Sequence, residues 1–362
     1  MTGESRQEPW TFASGRVAVL ETRLPSRDLL LDMAERPPED LLPALSETDF
    51  GAAFSSEDDL AQEDVLFDQF EHQRIMDLAE AMPDPAPAAY ATLDRDFRNF
   101  KAYARHRIFQ AELVLDPAST LDAAALGPIW EGRADDASGA WSALAAEVRA
   151  LAERDKTFAS KTTFAEVFDA ALDHRHLVRA KDLAAATGSD EVAAFADALV
   201  HWRAVEVVIR IRLGRASADG HASADGRASA DGRASARGHG DREGLVSHFL
   251  APPLDDGELV TMAEAPDEEW PAAARRVVPH LVAEAIAGGR PHEALVALGQ
   301  HIDTVLNGRL EPARFATYGP ERVFAYLVLL RAAARNLKIV VGGRLNHVNP
   351  ALLTERLRWA YA

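Results

Sequence analysis

The sequence predicts an all-α protein built from three related helical units. Three observations carry that expectation: scarce glycine outside one segment, apolar residues at helical spacing, and a long internal repeat. Seven of the 22 glycines fall between Gly214 and Gly244, which leaves 15 for the rest of the 362-residue chain. Elsewhere Ala, Leu, Glu and Arg dominate, the residues that lose least on entering a helix. No comparable stretch has the strict period of two that a half-buried strand requires.

Taken in order, the elements show their ends as well as their faces. In RPPEDLL, Pro38 suits a first helical turn, and Glu39 and Asp40 favour the positive end of the helix dipole. In WSALAAEVRALAERD, Trp141, Leu144, Val148 and Leu151 recur at spacings of 3, 4 and 3, the apolar stripe of a surface helix. Near the end, Gly342 and Gly343 are expected to stop one helix, and Asn349 to cap the next with Pro350 at its first position. From Gly214 to Arg237 the chain reads GRASAD, GHASAD, GRASAD, GRASAR. Its only apolar side chain is Ala, too small to stack the coils of a β-helix, so this segment reads as a disordered, solvent-exposed low-complexity insertion.

A longer repeat underlies these elements. DFRNFKAYARHRI (Asp96 to Ile108), HWRAVEVVIRIRL (His201 to Leu213) and AARNLKIVVGGRL (Ala333 to Leu345) share an arginine, a small or amide residue, an apolar residue and a charged one, followed by an apolar stretch with further arginines. Arg98 and Arg203 are 105 positions apart. Arg203 and Arg335 are 132 apart, or 104 once the 28 residues from Arg215 to Arg242 are set aside. Two spacings that agree within one residue imply three copies of one unit. The expected division is 10–120, 121–213 and 245–362 for the copies and 214–244 for the insertion.

Composition excludes several functions. With 39 Lys and Arg against 57 Asp and Glu, the formal net charge is -18, which disfavours a broad nucleic-acid-binding face or an anionic membrane surface. Charge is partitioned: Pro37 to Asp96 holds 16 acids and two bases, whereas Pro312 to Ala362 holds eight bases and two acids. There is no cysteine, hence no thiolate chemistry and no sign of an oxidising compartment; the cytoplasm is the expected location. The longest apolar run, Val323 to Leu330, has eight residues where a membrane span needs about 20, so no direct membrane insertion is expected. The opening MTGESRQEPW lacks the apolar core of a secretory signal.

Sites for chemistry are sparse. Asp173, His174, Arg175 and His176 form the best enzyme-like cluster, because imidazoles and carboxylates ligate metals and move protons. On a helix, however, His174 and His176 face different ways. His280, His292 and His301 follow no metal-ligand spacing, and SEDD (from Ser56) and PDEEW (from Pro266) match no catalytic pair. No phosphate-cradling glycine motif is present, and no catalytic residue, metal or cofactor is expected. The other notable chemistry is cationic: Arg98, Lys101, Arg105 and Arg107 in the first copy; Arg203, Arg210 and Arg212 in the second; Arg335, Lys338 and Arg344 in the third. These either pair with acids of neighbouring helices or line a surface for an acidic partner.

The segment TYGPERVFAYLVLLRAAARNLKIVVGGRLNHVNPALLTERLRWAYA (Thr317 to Ala362) resembles the C-terminus of the family of C subunits of V-type and A-type ATPases, whose eukaryotic member is the V-ATPase d subunit. FASGRVAVLETRLPS (Phe12 to Ser26) is similar to that family's opening helix, LSETDFG (Leu45 to Gly51) to its Thr-Asp-Tyr-Gly element, and DFRNFKAYARHR to its Asp-x-x-Asn-Leu-Lys helix. The resemblance implies three homologous subdomains around a pseudo-threefold axis, forming a funnel without an active site. It also implies a role: one copy in a hetero-oligomeric rotary complex, a socket between the central-shaft subunits and the proteolipid c-ring, peripheral on the cytoplasmic face of the membrane. The interface would then include Arg98, Lys101, Arg335, Lys338 and Arg344. The central copy departs from the pattern at Ala204, Val205 and Glu206, and the hexapeptide insertion is foreign to it. Two other readings compete. One is a helical repeat scaffold that binds other proteins. The other is an all-α metal-dependent hydrolase, which requires His174, His176 or His280 to converge with carboxylates.

Overall fold

Helix-forming composition and well-placed caps produce a chain of α-helices joined by short turns. The computed structural model describes residues 8–54, 56–133, 139–154, 161–224, 249–251, 254 and 256–357; among them there are fifteen α-helices and no strand. The first are α1 (Thr11–Glu21), α2 (Arg27–Glu35), α3 (Leu41–Leu45), α4 (Glu63–Ala79) and α5 (Ala86–Phe109). Next come α6 (Ala123–Glu131), α7 (Gly139–Arg154), α8 (Lys161–Ala186) and α9 (Asp190–Ala224). The remainder are α10 (Gly257–Glu264), α11 (Trp270–Val277), α12 (His280–Ala287), α13 (Pro291–Phe315), α14 (Pro320–Leu345) and α15 (Pro350–Arg356).

Side chains satisfy the first N–H groups of several helices. Ser26 accepts from Leu29 N at α2, Asp122 from Ala125 N at α6, and Asp256 from Glu258 N and Leu259 N at α10. Asn349 caps α15 as expected, accepting from Ala351 N with Pro350 at the first position. Pro38 begins a 3₁₀ turn, Pro38–Asp40, that feeds α3. Val148 of α7 is buried, and Trp141, Leu144 and Leu151 pack beside it, as the stripe predicts.

Two expectations meet a different outcome. Gly342 and Gly343 do not stop α14, which runs on to Leu345. They lie instead where neighbours press on the helix: a β-carbon on Gly343 would collide with Leu353 of α15, and one on Gly342 would sit 2.8 Å from Glu63 Oε1. The chain turns only past α14, with His347 at φ 55°. Secondly, α9 continues past Gly214, where the insertion was expected to begin, as far as Ala224, through a sequence rich in the best helix former. The remaining hexapeptides lie outside the described residues.

Packing divides the described residues into three cores. One joins α1 to α4 with most of α14 and with α15; Met33, Phe50, Phe67 and Ile75 meet Tyr326, Leu337, Val340 and Leu353 there. Another joins the second half of α5 (Phe97, Phe100, Tyr103) to α6, α7 and α8. The largest joins α8 and α9 to α10 through α13 and to Phe324 and Ala325 of α14. These cores do not follow the boundaries read from the sequence, because the long helices α8 and α14 each serve two of them and α5 serves all three. The last helices share a core with the first.

Gly51, within LSETDFG, tests the closeness of this packing. A β-carbon there would lie 2.6 Å from Leu45 O and from Ser46 Cα, both backbone atoms that cannot swing away. Gly51→Ala is expected to cost about 2 kcal/mol, read as a lower thermal midpoint. Gly15→Ala is the control: no neighbouring atom lies within 4 Å of that site on α1, so the change should be neutral or stabilising.

Candidate functional site

The repeat places three long helices, α5, α9 and α14, in one register. Counting back from Arg98, Arg203 and Arg335, the residues eight positions earlier are Tyr90, Phe195 and Leu327; those four positions earlier are Asp94, Leu199 and Arg331. Positions four and eight apart share a helix face. All six of these residues line one cavity of about 290 Å³, joined by Arg203 and Arg335 and by Ile302, Asp303 and Leu306 of α13. Its walls are mainly apolar and its charged residues include three arginines.

Beside the cavity runs a chain of ion pairs. Glu71 of α4 is 2% exposed and Arg95 of α5 is 5% exposed. Arg95 Nη2 donates to Glu71 Oε2 at 2.7 Å and to Asp68 Oδ1 at 2.6 Å. The other Glu71 oxygen accepts from Arg331 Nε of α14 at 3.3 Å, and Arg331 Nη1 donates to Asp94 Oδ2 at 2.5 Å. Arg331 also donates to the Ala91 carbonyl oxygen. His176 Nε2 lies 2.9 Å from Asp94 Oδ1, and its ring stacks on Phe97. Lys338 Nζ closes the other end at 2.6 Å from Asp68.

Electrostatics follow from this geometry. Burial raises the Asp68 carboxyl, but hydrogen bonds from Arg95 and Lys338 outweigh it and hold the group below the usual carboxylate range. Asp94 behaves likewise: burial opposes ionisation, and Arg331 with His176 overcomes it. Glu206 of α9, gripped by Arg203 at 2.6 Å and Arg210 at 2.7 Å, is also lowered against burial. Burial weakens the Arg95 cation, and its two carboxylate partners more than restore it.

The cations singled out by sequence have separate fates. Lys101 lies 2.7 Å from Asp173, so it is half-buried against α8. Lys338 is held by Asp68, and Arg344 donates to the carbonyl oxygens of Arg36 and Val348. Arg98, 65% exposed in its side chain, reaches Asp116 at 3.3 Å, and Arg335 is exposed at the cavity. Thus pairing with neighbouring acids accounts for Lys101 and Lys338, and Arg98 and Arg335 are the exposed members of the five. The same holds for the charge partition: α14 of the basic end meets α4 of the acidic stretch.

The amides of the motif do structural work. Asn99 Nδ2 donates to the carbonyl oxygens of Asp116 and Leu121, and its Oδ1 accepts from Asp116 N, fixing the loop before α6. Asn336, its counterpart, is buried beside Leu24, Pro25 and Ser26, the loop before α2. In the central copy Ala204 and Val205 are simply buried.

The histidines stay apart. His174 is buried with Nδ1 2.9 Å from the Phe249 carbonyl oxygen, while His280 is exposed beside Glu284. Among the described residues no group of three or more His, Asp or Glu side chains is placed to hold a metal ion. Local patterns did not disclose Glu71, Asp94 or Tyr90. Arg331 left one signal, a lone cation ending the longest apolar run. No family model matches this chain, and no curated protein matches it in sequence.

Removing one member of a buried ion pair strands the other, so Arg95→Met should cost about 3 kcal/mol or more, read from denaturant unfolding. Because Asp68 ionises more readily folded than unfolded, its stabilisation is complete above the unfolded carboxylate range, near pH 4, and is lost as pH falls through and below it. Thermal midpoints measured from pH 7 to pH 3 should therefore fall less steeply for Asp68→Asn, which starts lower, than for the unaltered chain.

Proposed function

We propose that this chain is a non-catalytic central-stalk subunit of a rotary V/A-type ATPase: a socket that couples the rotor shaft to the membrane proteolipid ring during ATP-linked proton or sodium transport. The observation that carries this reading is the shared register of α5, α9 and α14, whose residues at two corresponding positions, Tyr90, Phe195 and Leu327 and then Asp94, Leu199 and Arg331, line one cavity. Three copies packed about a common axis would produce that convergence, and the resemblance implies such an axis and a funnel around it. A coupler must resist twisting, and close-packed helices joined by buried ion pairs suit that task.

The role needs attachment to a membrane complex without insertion. No described helix is long and apolar enough to cross a membrane. Attachment then falls to partner subunits, through interfaces that for stable complexes bury roughly 1,200 to 2,000 Å². Of the five cations in the expected interface, Arg98 and Arg335 are the exposed ones and the best positions at which to test contact with an acidic partner.

Tagged protein recovered from detergent-solubilised membranes should bring down shaft and ring subunits of an ATPase; recovery of neither would sink the proposal. Arg98→Glu with Arg335→Glu should reduce that recovery while leaving the circular dichroism spectrum unchanged. Lys338→Glu is a poor test of contact, since the new carboxylate would face Asp68 inside the fold and unsettle the packing itself.

A further inference from the structure

The cavity between α5, α9 and α14 is polarised along its length, a property that the assembly role does not use. The three helices run past it in the same direction, which two sets of contacts establish. Tyr90, Phe195 and Phe324 meet at one level, with the Tyr90 and Phe324 rings 5.0 Å apart and the Phe195 and Phe324 rings 5.3 Å apart, both edge to face. One or two turns later on each helix come Asp94, Arg203 and Arg331, again together. Arg331 donates to Asp94 at 2.5 Å; burial raises that carboxyl, whereas Arg331, His176 and Arg203 lower it. The two levels also differ in access. Phe324 is 1% and Phe195 4% exposed although both line the cavity, whereas Asp94, Arg203 and Arg335 are exposed. Leu199 and Val328, half-buried, lie between the levels on α9 and α14. The cavity therefore has a dry apolar floor and a charged mouth.

The mouth favours neither sign of charge. Arg203, Arg331 and Arg335 stand there against Asp94, Glu206 and Asp303, with Arg331 matched by Asp94 at 2.5 Å and Arg203 by Glu206 at 2.6 Å. A charged head group would meet both signs and gain little for the hydration it gives up. A hydroxyl or an amide can both donate to and accept from such groups. The volume of about 290 Å³ lies at the small end of ligand sites, which suits one short chain and is too little for a two-chain lipid.

We propose that this cavity binds a short-chain amphiphile, its apolar body against Phe195 and Phe324 and its uncharged hydroxyl or amide head at the mouth. The site is independent of the assembly role: it needs only the three helices to pack as they do.

Four probes of one chain length separate floor from mouth: 1-octanol, 1,8-octanediol, octanoate and octylammonium, titrated calorimetrically into the full chain. Octanol should bind at one site per chain, and neither ion more tightly than octanol. The diol has to bury its second hydroxyl at the floor and should bind about ten-fold more weakly. Glu206→Gln with Asp303→Asn removes two of the opposing carboxylates and should improve octanoate relative to octanol about five-fold, the worth of an exposed ion pair. Val328→Trp, or the milder Leu199→Phe should the larger ring prevent folding, fills the space between floor and mouth and should abolish octanol binding. Phe12→Ser, a change at an exposed apolar residue of α1, should leave it unaltered. No binding of octanol, a diol that binds as well as octanol, or an ion that binds better would each overturn the proposal. So would octanoate unimproved by the double variant, binding lost with Phe12→Ser, or binding that survives a folded cavity-filling variant.

Discussion

A single buried carboxylate, Glu71, holds two arginines from opposite ends of the chain, and the rest of the fold is arranged around that fact. Arg95 is 24 residues away and Arg331 is 260 away, yet both donate to it. An ionised group inside a protein is tolerable only when its lone pairs are taken up. Glu71 therefore admits one mutual placement of α4, α5 and α14, since a shift of any one strands a charge in the interior. Apolar packing alone is more permissive, because leucine and valine tolerate sliding that a guanidinium fork does not.

That constraint gives the uneven charge of the chain an internal meaning. The acidic stretch and the basic end look, as composition, like two poles awaiting partners. In the fold two cations of the basic end pair with the acidic stretch: Arg331 with Glu71 and Asp94, and Lys338 with Asp68.

Local features were legible and distant ones were not. The helical class, the Asn349 cap, the Pro38 turn and the Trp141 stripe depend on residues within one or two turns, where spacing is informative. The three copies of the motif lie on α5, α9 and α14, and the residues four and eight positions before Arg98, Arg203 and Arg335 line the cavity. The pairing of Glu71 with Arg331 is not written locally: Arg331 stands out as the cation that ends the longest apolar run, but nothing near either residue names the other. Gly342 and Gly343 show the same limit from the other side. A glycine at a helix end and a glycine at a close crossing look identical in sequence, and only Leu353 and Glu63 pressing on α14 distinguish them. The histidines, the most enzyme-like signal in the sequence, became separate structural contacts once their helix was buried.

The sharing of one core between the first helices and the last sets an order of events during synthesis. Met33, Phe50 and Phe67 find their covering in Tyr326, Leu337 and Val340, which the ribosome adds only long afterwards. The nascent N-terminal helices must therefore wait with their apolar faces uncovered while the core of α5 to α8 takes shape. Contacts so distant in sequence form slowly, and the waiting surfaces are open to wrong partners. The acid carried by that early stretch then has a second consequence, since like charge keeps neighbouring unfinished chains apart until α14 arrives.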